Sequence, residues 1–278
     1  MSEFAYTQRD FTRIRELIRK RAGIALAEAK RDMAYGRLTR LLRAGGHRSV
    51  ADYLDTLERS GGTDDWQQFV NALTTNLTSF FREAHHFETL ARHLRRSGAP
   101  PRQRIWCSAA STGEEAWSLA ITACEAFDRL DPPVEILATD IDTACLERAG
   151  RAIYPVARIE DLSATRRKRF FQRGTGSNAG QARVLPALQR LVRFAPCNLL
   201  DARWPVQGQF DAVFCRNVMI YFDKPTQLRL LGRMVPLLHD DGLFFAGHSE
   251  SFFHATEIVR SCGRSVYAPA RSRVGRAA

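Results

Sequence analysis

The chain has 278 residues, of which 45% are apolar, and a formal net charge of +11, which is material for one large domain or a small one beside a medium one. No apolar run approaches a membrane span and the amino terminus does not read as a signal peptide, so a soluble cytoplasmic protein is expected. Residues 1–50 hold 12 Lys/Arg against 5 Asp/Glu, residues 264–278 four arginines and no acid, and the stretch between them balances to zero. Such a distribution favours an acidic partner met by the amino-terminal part, with nucleic acid as the rival on charge alone.

The first hundred residues read as helices. Phe11, Ile14, Leu17 and Ile18 recur at helical spacing up to Gly23, and Tyr35, Leu38, Leu41 and Leu42 mark a second helix stopped by Gly45-Gly46. Ser49 caps a third through Leu57, closed by Gly61-Gly62; Trp66, Phe69, Val70 and Leu73 mark a fourth, and Phe87, Leu90 and Leu94 a fifth. Ser97-Gly-Ala-Pro-Pro101 then breaks the pattern and reads as a boundary.

Beyond Arg104 the period changes. Short apolar runs at 105–107, 134–139, 191–195, 210–215 and 243–246 suit buried strands, separated mostly by helical segments, notably 114–129, 142–150 and 225–238. That alternation predicts a doubly wound, mostly parallel α/β sheet, with 265–268 as a final antiparallel strand. Residues 174–197 break the rhythm and read as a small β insert. Cys107, Cys124, Cys145, Cys197, Cys215 and Cys262 show no CxxC spacing, which points to free thiols rather than disulfides or zinc.

In such folds the ligand lies beyond the carboxyl ends of the strands. The first turn, Cys107-Ser-Ala-Ala-Ser-Thr-Gly-Glu-Glu115, lacks the G-x-G-x-x-G dinucleotide fingerprint. Its two acids at a helix start would repel pyrophosphate and suit a cationic ligand such as S-adenosylmethionine. Asp140, in Ala138-Thr-Asp-Ile-Asp142, is placed to accept ribose hydroxyls; the plainer reading is a helix cap by Asp140 or Asp142. Asn198, after a later strand, can meet an adenine edge or simply sit in a turn. Asn76-Leu-Thr-Ser-Phe-Phe-Arg-Glu83 and Phe214-Cys-Arg-Asn-Val-Met-Ile-Tyr-Phe-Asp223 set polar residues inside apolar runs. In them Arg82 competes with a plain ion pair to Glu83 or Glu88, and Tyr221 with a core aromatic. His85-His86 are expected to point apart on an exposed surface, a poor metal pair, and no metal is expected. Gly247-His-Ser-Glu250 reads as a strand end near the pocket.

Thr74–Glu83, Ser108–Glu115, Ala138–Asp142, Arg216–Asp223 and Gly247–Glu250, in that order and across most of the chain, resemble the CheR family of chemotaxis-receptor methyltransferases. The resemblance implies a Rossmann-like class I methyltransferase domain at 98–271, preceded by an all-α receptor-docking domain with its linker at 1–97, and a disordered tail at 272–278. It implies methyl transfer from S-adenosylmethionine to receptor glutamates, giving methyl esters that tune adaptation. By the same resemblance Asn76, Thr78, Arg82, Ala109, Glu115, Asp140, Asn198, Leu199, Arg216 and Asn217 bind cofactor, with Arg82 and Tyr221 nearest the transferred methyl. Arg37, Arg40 and Arg43 lie at three-residue spacing on the second helix and are expected to dock acidic receptor helices, the insert a receptor carboxyl-terminal peptide. A monomer recruited to membrane-bound receptor arrays is expected. A nucleic-acid methyltransferase, the second reading, lacks its Asn/Asp-Pro-Pro-Tyr turn here. A non-catalytic adaptor, the third, fits poorly with the presence of both Arg82 and Tyr221.

Overall fold

The computed structural model describes residues 3–270; the expected tail at 272–278 lies outside them. Helix α1 (Gln8–Ala22) begins in a capping box. Asp10 Oδ2 accepts the Thr7 N–H at 2.8 Å, and the Thr7 hydroxyl accepts the Asp10 N–H at 3.2 Å, so two otherwise orphaned donors are satisfied. The helix ends at Gly23, whose left-handed φ of 69° leaves room for nothing larger, because a Cβ there would lie 2.7 Å from the Phe222 ring. Helices α2 (Arg31–Gly45), α3 (Val50–Ser60) and α4 (Thr63–Leu73) follow. Their apolar faces close on one another in a core that includes Phe11, Ile14, Leu38, Leu54 and Phe69.

Helix α5 (His85–Leu94) belongs elsewhere. Its Phe87, Leu90 and Leu94 pack with Ile105 and Leu119 in the core of the sheet, although the Pro-rich break follows it in sequence. The packing divides between Leu73 and Phe80, earlier than the expected 97–98.

The remainder alternates strand and helix: β1 (Gln103–Cys107), α6 (Glu114–Phe127), β2 (Val134–Asp140), α7 (Thr143–Arg151), β3 (Ile153–Pro155), α8 (Ala164–Phe170), β4 (Phe171–Arg173), β5 (Gln181–Val184), α9 (Pro186–Gln189), β6 (Val192–Pro196), β7 (Phe210–Phe214), α10 (Lys224–Met234), β8 (Leu238–Phe245), β9 (Val259–Gly263) and β10 (Val266–Pro269). The seven-stranded sheet runs β6-β2-β1-β7-β8-β10-β9. The first five strands are parallel and β10 is antiparallel to both its neighbours. Alternate residues bury into opposite layers, Ile105, Ile136 and Phe214 on one face, Trp106, Leu137 and Val213 on the other, as expected of parallel strands covered on both sides.

Two expectations shift. The insert is a separate antiparallel sheet, β3-β5-β4, that begins at Ile153 rather than near residue 174. Its expected end overlaps β6, which pairs with β2 in the main sheet. Strand β9 had no clear apolar signal, since four of its five residues are exposed. Cys107, Cys124, Cys145, Cys197 and Cys215 are buried free thiols and Cys262 is an exposed one. Among the described residues no helix is long and apolar enough to cross a membrane.

Candidate active site

The parallel register aligns Cys107 with Ala138 and Phe214, and Phe214 with Phe245, so the carboxyl ends of the central strands form one ledge. Over it lies a cavity of about 330 Å³, bordered by loops from that ledge, by residues 74–78, and by the helical unit through Ile24, Leu26 and Met33. This is within the size range of small-ligand sites. The part of this apolar wall made by Ile24 and Leu26 was not legible in the sequence, because it follows the Gly23 stop and shows no helical period.

The helical unit is fastened at this rim. Gln67 Nε2 donates to the Ile141 carbonyl (2.7 Å), Asn71 Nδ2 to Thr143 Oγ1 (3.0 Å), Thr74 Oγ1 to Asp142 Oδ2 (2.6 Å), and Ala25 N–H to the Tyr221 carbonyl (3.2 Å). Residues in the rim loops take left-handed backbone without being glycine: Phe81, Glu83, Ser111 and Asn217 have φ of 52°, 60°, 50° and 59°. Such strain persists where surrounding structure over-determines the chain, and it gathers at functional sites.

All the cofactor and methyl-proximal candidates (Asn76, Thr78, Arg82, Ala109, Glu115, Asp140, Asn198, Leu199, Arg216, Asn217 and Tyr221) border this one cavity. Asp140 is 7% exposed. Its Oδ2 accepts the Ser111 N–H (2.7 Å) and its Oδ1 the Asp142 N–H (2.9 Å), which leaves each oxygen a lone pair for a diol. Burial pushes its carboxyl up to about 6, with those two N–H groups pulling the other way. Asp142, not Asp140, caps α7 through the Cys145 N–H (3.0 Å). Asp142 Oδ2 also accepts the Asn76 side-chain amide at 2.7 Å, and Ser111 Oγ donates to the Asn76 carbonyl at 3.2 Å, so Asn76 fixes the rim loop as well as bordering the cavity.

Glu115 is buried at the start of α6 and is held by Arg216 Nη1 at 2.7 Å. Burial raises its carboxyl and the guanidinium opposes that rise. Glu114, its sequence neighbour, does not border the cavity: it pairs with Arg158 and accepts from Thr112 Oγ1 at 2.6 Å. Arg216 is 4% exposed and also donates from Nη2 to the Arg82 carbonyl (2.6 Å). Its Nε is buried without a partner among the described residues. Arg82 itself donates from Nη1 to the Leu77 carbonyl (3.0 Å), and among the described residues no carboxylate pairs with it, so the plain ion pair with Glu83 or Glu88 is not what the structure contains. Tyr221 is half-buried in a one-turn helix at Met219–Tyr221, open to the cavity rather than enclosed in the core. Asn198 spends its amide on the Arg21 carbonyl (2.8 Å) and the Leu200 N–H (3.0 Å), a turn geometry that still leaves a donor and an acceptor free. Leu199 beside it is buried.

Three expectations need correction. Arg37 is not a free docking group: its guanidinium reaches the Thr74 carbonyl and the Ala72 carbonyl (3.5 Å), satisfying carbonyls at and beyond the end of α4. Arg43 pairs with Glu3; Arg40 alone of the three is exposed and unpaired among the described residues. His85 and His86 do not point apart. Their rings lie 4.2 Å apart between centroids and both meet the Arg264 carbonyl at 3.1 Å, because the β9–β10 turn covers the start of α5 and buries His86 completely. Burial lowers His86 to about 4, so it is neutral. Ligand-type atoms of Glu83, His85 and His86 gather within 4.8 Å, beside Arg216, whose Nη2 lies 3.4 Å from Glu83 Oε2.

The donor set fits S-adenosylmethionine better than a nucleotide. Two buried carboxylates face the cavity, a spare guanidinium N–H suits the ligand's carboxylate, and Asp140 keeps lone pairs for a ribose. Among the described residues no glycine-rich turn offers N–H groups to phosphate in the manner of a dinucleotide site. The fold and the site thus define an S-adenosylmethionine-dependent class I methyltransferase preceded by a helical unit. Residues 76–268 match the family described as CheR methyltransferase, SAM binding domain, and residues 9–74 the CheR methyltransferase all-alpha domain. The chain is 56% identical over 269 residues to Chemotaxis protein methyltransferase 2 of Pseudomonas aeruginosa, covering 96% of this chain and 95% of that one. It is 49% identical to the Salmonella typhimurium chemotaxis protein methyltransferase (97% and 93% covered) and 48% to that of Escherichia coli (95% and 92%). The chain belongs to the CheR methyltransferase family.

Proposed function

We propose that this protein methylates glutamate side chains of chemoreceptors, acting as a monomer at receptor arrays, with the charged cavity at the carboxyl ends of β1, β2 and β7 as its active centre. The observation that carries the reading is the meeting of Arg82 and Tyr221 with Glu115, Asp140 and Arg216 around that cavity. S-Adenosylmethionine, when bound, supplies a methyl group on a positively charged sulfur, which a glutamate oxygen takes with no proton moved because carboxylate and sulfonium neutralise each other. A glutamate carboxylate is ionised at neutral pH, having a pKa of about 4.3, so no general base is required. What the residues must supply is orientation and shelter from water.

Asp140 holds the ribose, with Ala109, Asn198 and Leu199 at the adenine end. Glu115, Asn76, Thr78, Arg216 and Asn217 surround the amino-acid end. Arg82 and Tyr221 face the acceptor, Arg82 drawing in its carboxylate and the Tyr221 hydroxyl donating one hydrogen bond. Arg40 contributes long-range attraction to an acidic receptor helix. Strand β4, at an edge of the small sheet, is available for a receptor peptide to add as a further strand.

The test is methyl incorporation from labelled S-adenosylmethionine into chemoreceptor-containing membranes, followed by brief alkali. Enzyme-dependent label released as methanol is expected, the signature of carboxyl esters. Cofactor binding without receptor label would overturn the reading and favour another acceptor or an adaptor role.

A further inference from the structure

Gly247-His-Ser-Glu250 follows β8 and does not border the cavity, yet it touches both segments that carry the methyl-proximal side chains. Glu250 is 6% exposed. Its Oε1 accepts the N–H groups of Met219 (2.7 Å) and Ile220 (3.3 Å), and its Oε2 those of Gly247 (2.5 Å) and Asn217 (3.0 Å). Four N–H donors use up the four lone-pair directions of one carboxylate, so Glu250 has nothing left for a ligand. What it organises is the loop from Arg216 to Tyr221, where Asn217 takes its left-handed φ of 59°. Three of those N–H groups converge on one carboxylate, an arrangement that favours an anion at its centre.

The close approach is built in. A Cβ on Gly247 would lie 2.3 Å from Asn217 Nδ2 and 3.0 Å from its backbone nitrogen. From the other side, buried Gln227 donates from Nε2 to the Met219 (2.8 Å) and Phe222 (3.1 Å) carbonyls. His248 Nδ1 reaches Glu83 Oε1 at 3.0 Å, one residue from Arg82. The charge of Glu250 therefore sits behind the Tyr221 loop while His248 braces the Arg82 segment.

We propose that Glu250 is a positioning residue for methyl transfer, acting through the loop that presents Tyr221. This rests on the receptor-methylation reading for its catalytic consequence, and on geometry alone for the order of the loop. The experiment compares wild type, Glu250→Gln, Tyr221→Phe and the double variant in receptor methylation. Hydrogen exchange of the amides of residues 216–222 is read on the same samples. A glutamine places two N–H donors where the carboxylate accepts, so kcat is expected to fall about 100-fold, the scale of a misplaced catalytic group. S-Adenosylhomocysteine binding is expected to persist, and exchange at Met219 and Ile220 to quicken about tenfold or more. The double variant is expected to lose no more than the worse single variant, since both act at one place.

Additive losses, or a folded Glu250→Gln enzyme with wild-type kcat, overturn the proposal. If that variant does not fold, Glu250→Asp, which keeps the charge and shortens its reach, is read in the same way against the same outcomes. Unaltered exchange also overturns it whatever the receptor assay returns. A wild-type enzyme that fails to label receptors sinks the functional reading instead, with the exchange result still deciding the loop.

Discussion

In the helical unit Arg13, Arg15 and Arg43 meet their carboxylates with side chains 30%, 41% and 62% exposed, whereas in the sheet unit the paired side chains of Arg216 and Glu115 are 0% and 11% exposed, and Asp140 and Glu250 are buried as well. Exposed pairs of the first kind contribute little to stability. Charges of the second kind cost desolvation and persist only where hydrogen bonds and partners compensate. Exposed pairs such as Arg129–Asp131 occur in the sheet unit as well, so the difference lies in the buried cluster and not in the surface pairs. The sheet unit in addition holds charge in and behind the wall of a cavity, and substitutions there should fail differently from those at exposed pairs.

The largest effect is expected from Arg216→Ala. It strands buried Glu115 and removes the donor to the Arg82 carbonyl, so stability should drop by about 3–5 kcal/mol in urea unfolding, with activity lost. A loss below 1 kcal/mol would mean that the buried charges are solvated in solution and would erase the contrast. Arg82→Ala separates chemistry from stability within the same unit. Among the described residues its guanidinium holds only the Leu77 carbonyl, so the thermal transition should barely move while methyl transfer falls roughly 100- to 1,000-fold, the scale seen when one transition-state donor is removed. Normal turnover would remove Arg82 from its assigned role.

Asp140 sharpens the comparison through pH. Its native carboxyl lies at about 6 against an ordinary 3.8. Its contribution to folding is therefore full below 3.8 and lost as pH rises through about 6, because the native state holds the proton longer. Ribose binding has the opposite sign, since the ionised carboxylate is the better acceptor. Calorimetric titration with S-adenosylhomocysteine should thus show affinity rising between pH 5 and pH 7 in wild type, and a weaker, flat profile across that window in Asp140→Asn. A flat wild-type profile would show that the ribose is held elsewhere.

The same contrast explains what the sequence disclosed. Strands β1, β2, β7 and β10 were legible because most of their residues are buried on both faces and the runs are continuous, whereas half-exposed β6 and the largely open first half of β8 were legible only through the apolar runs at 191–195 and 243–246. The cavity residues were legible because Arg82, Arg216 and Asp140 interrupt such runs. The role of Glu250 was not, since a carboxylate that binds four backbone N–H groups leaves no mark in residue spacing. The proline-rich break at 97–101 is a local signal that does not show which core helix α5 joins, whereas Phe87 and Leu94 find their partners across the chain. His85 and His86 were misplaced for the same reason, their environment being set by the Arg264 carbonyl 178 residues or more away.

The smallest effects separate Arg37 from Arg40, three residues apart on one helix. Arg37 spends its guanidinium on the Ala72 and Thr74 carbonyls, so Arg37→Ala should cost about 1–2 kcal/mol of stability. It should loosen the 74–78 rim, weakening cofactor binding with it. Arg40 has no carboxylate partner among the described residues and is exposed, so Arg40→Ala should leave unfolding and S-adenosylhomocysteine affinity unchanged. It should raise the receptor KM only a few-fold at low salt, a difference that fades as ionic strength approaches 0.5 M because charge pairs there are screened within a few ångströms. Equal loss of cofactor affinity in Arg40→Ala would place that arginine in the site and not on the docking face. A defect that persists at high salt would point to direct packing on the receptor helix, and the helical unit would then act by shape as well as by charge.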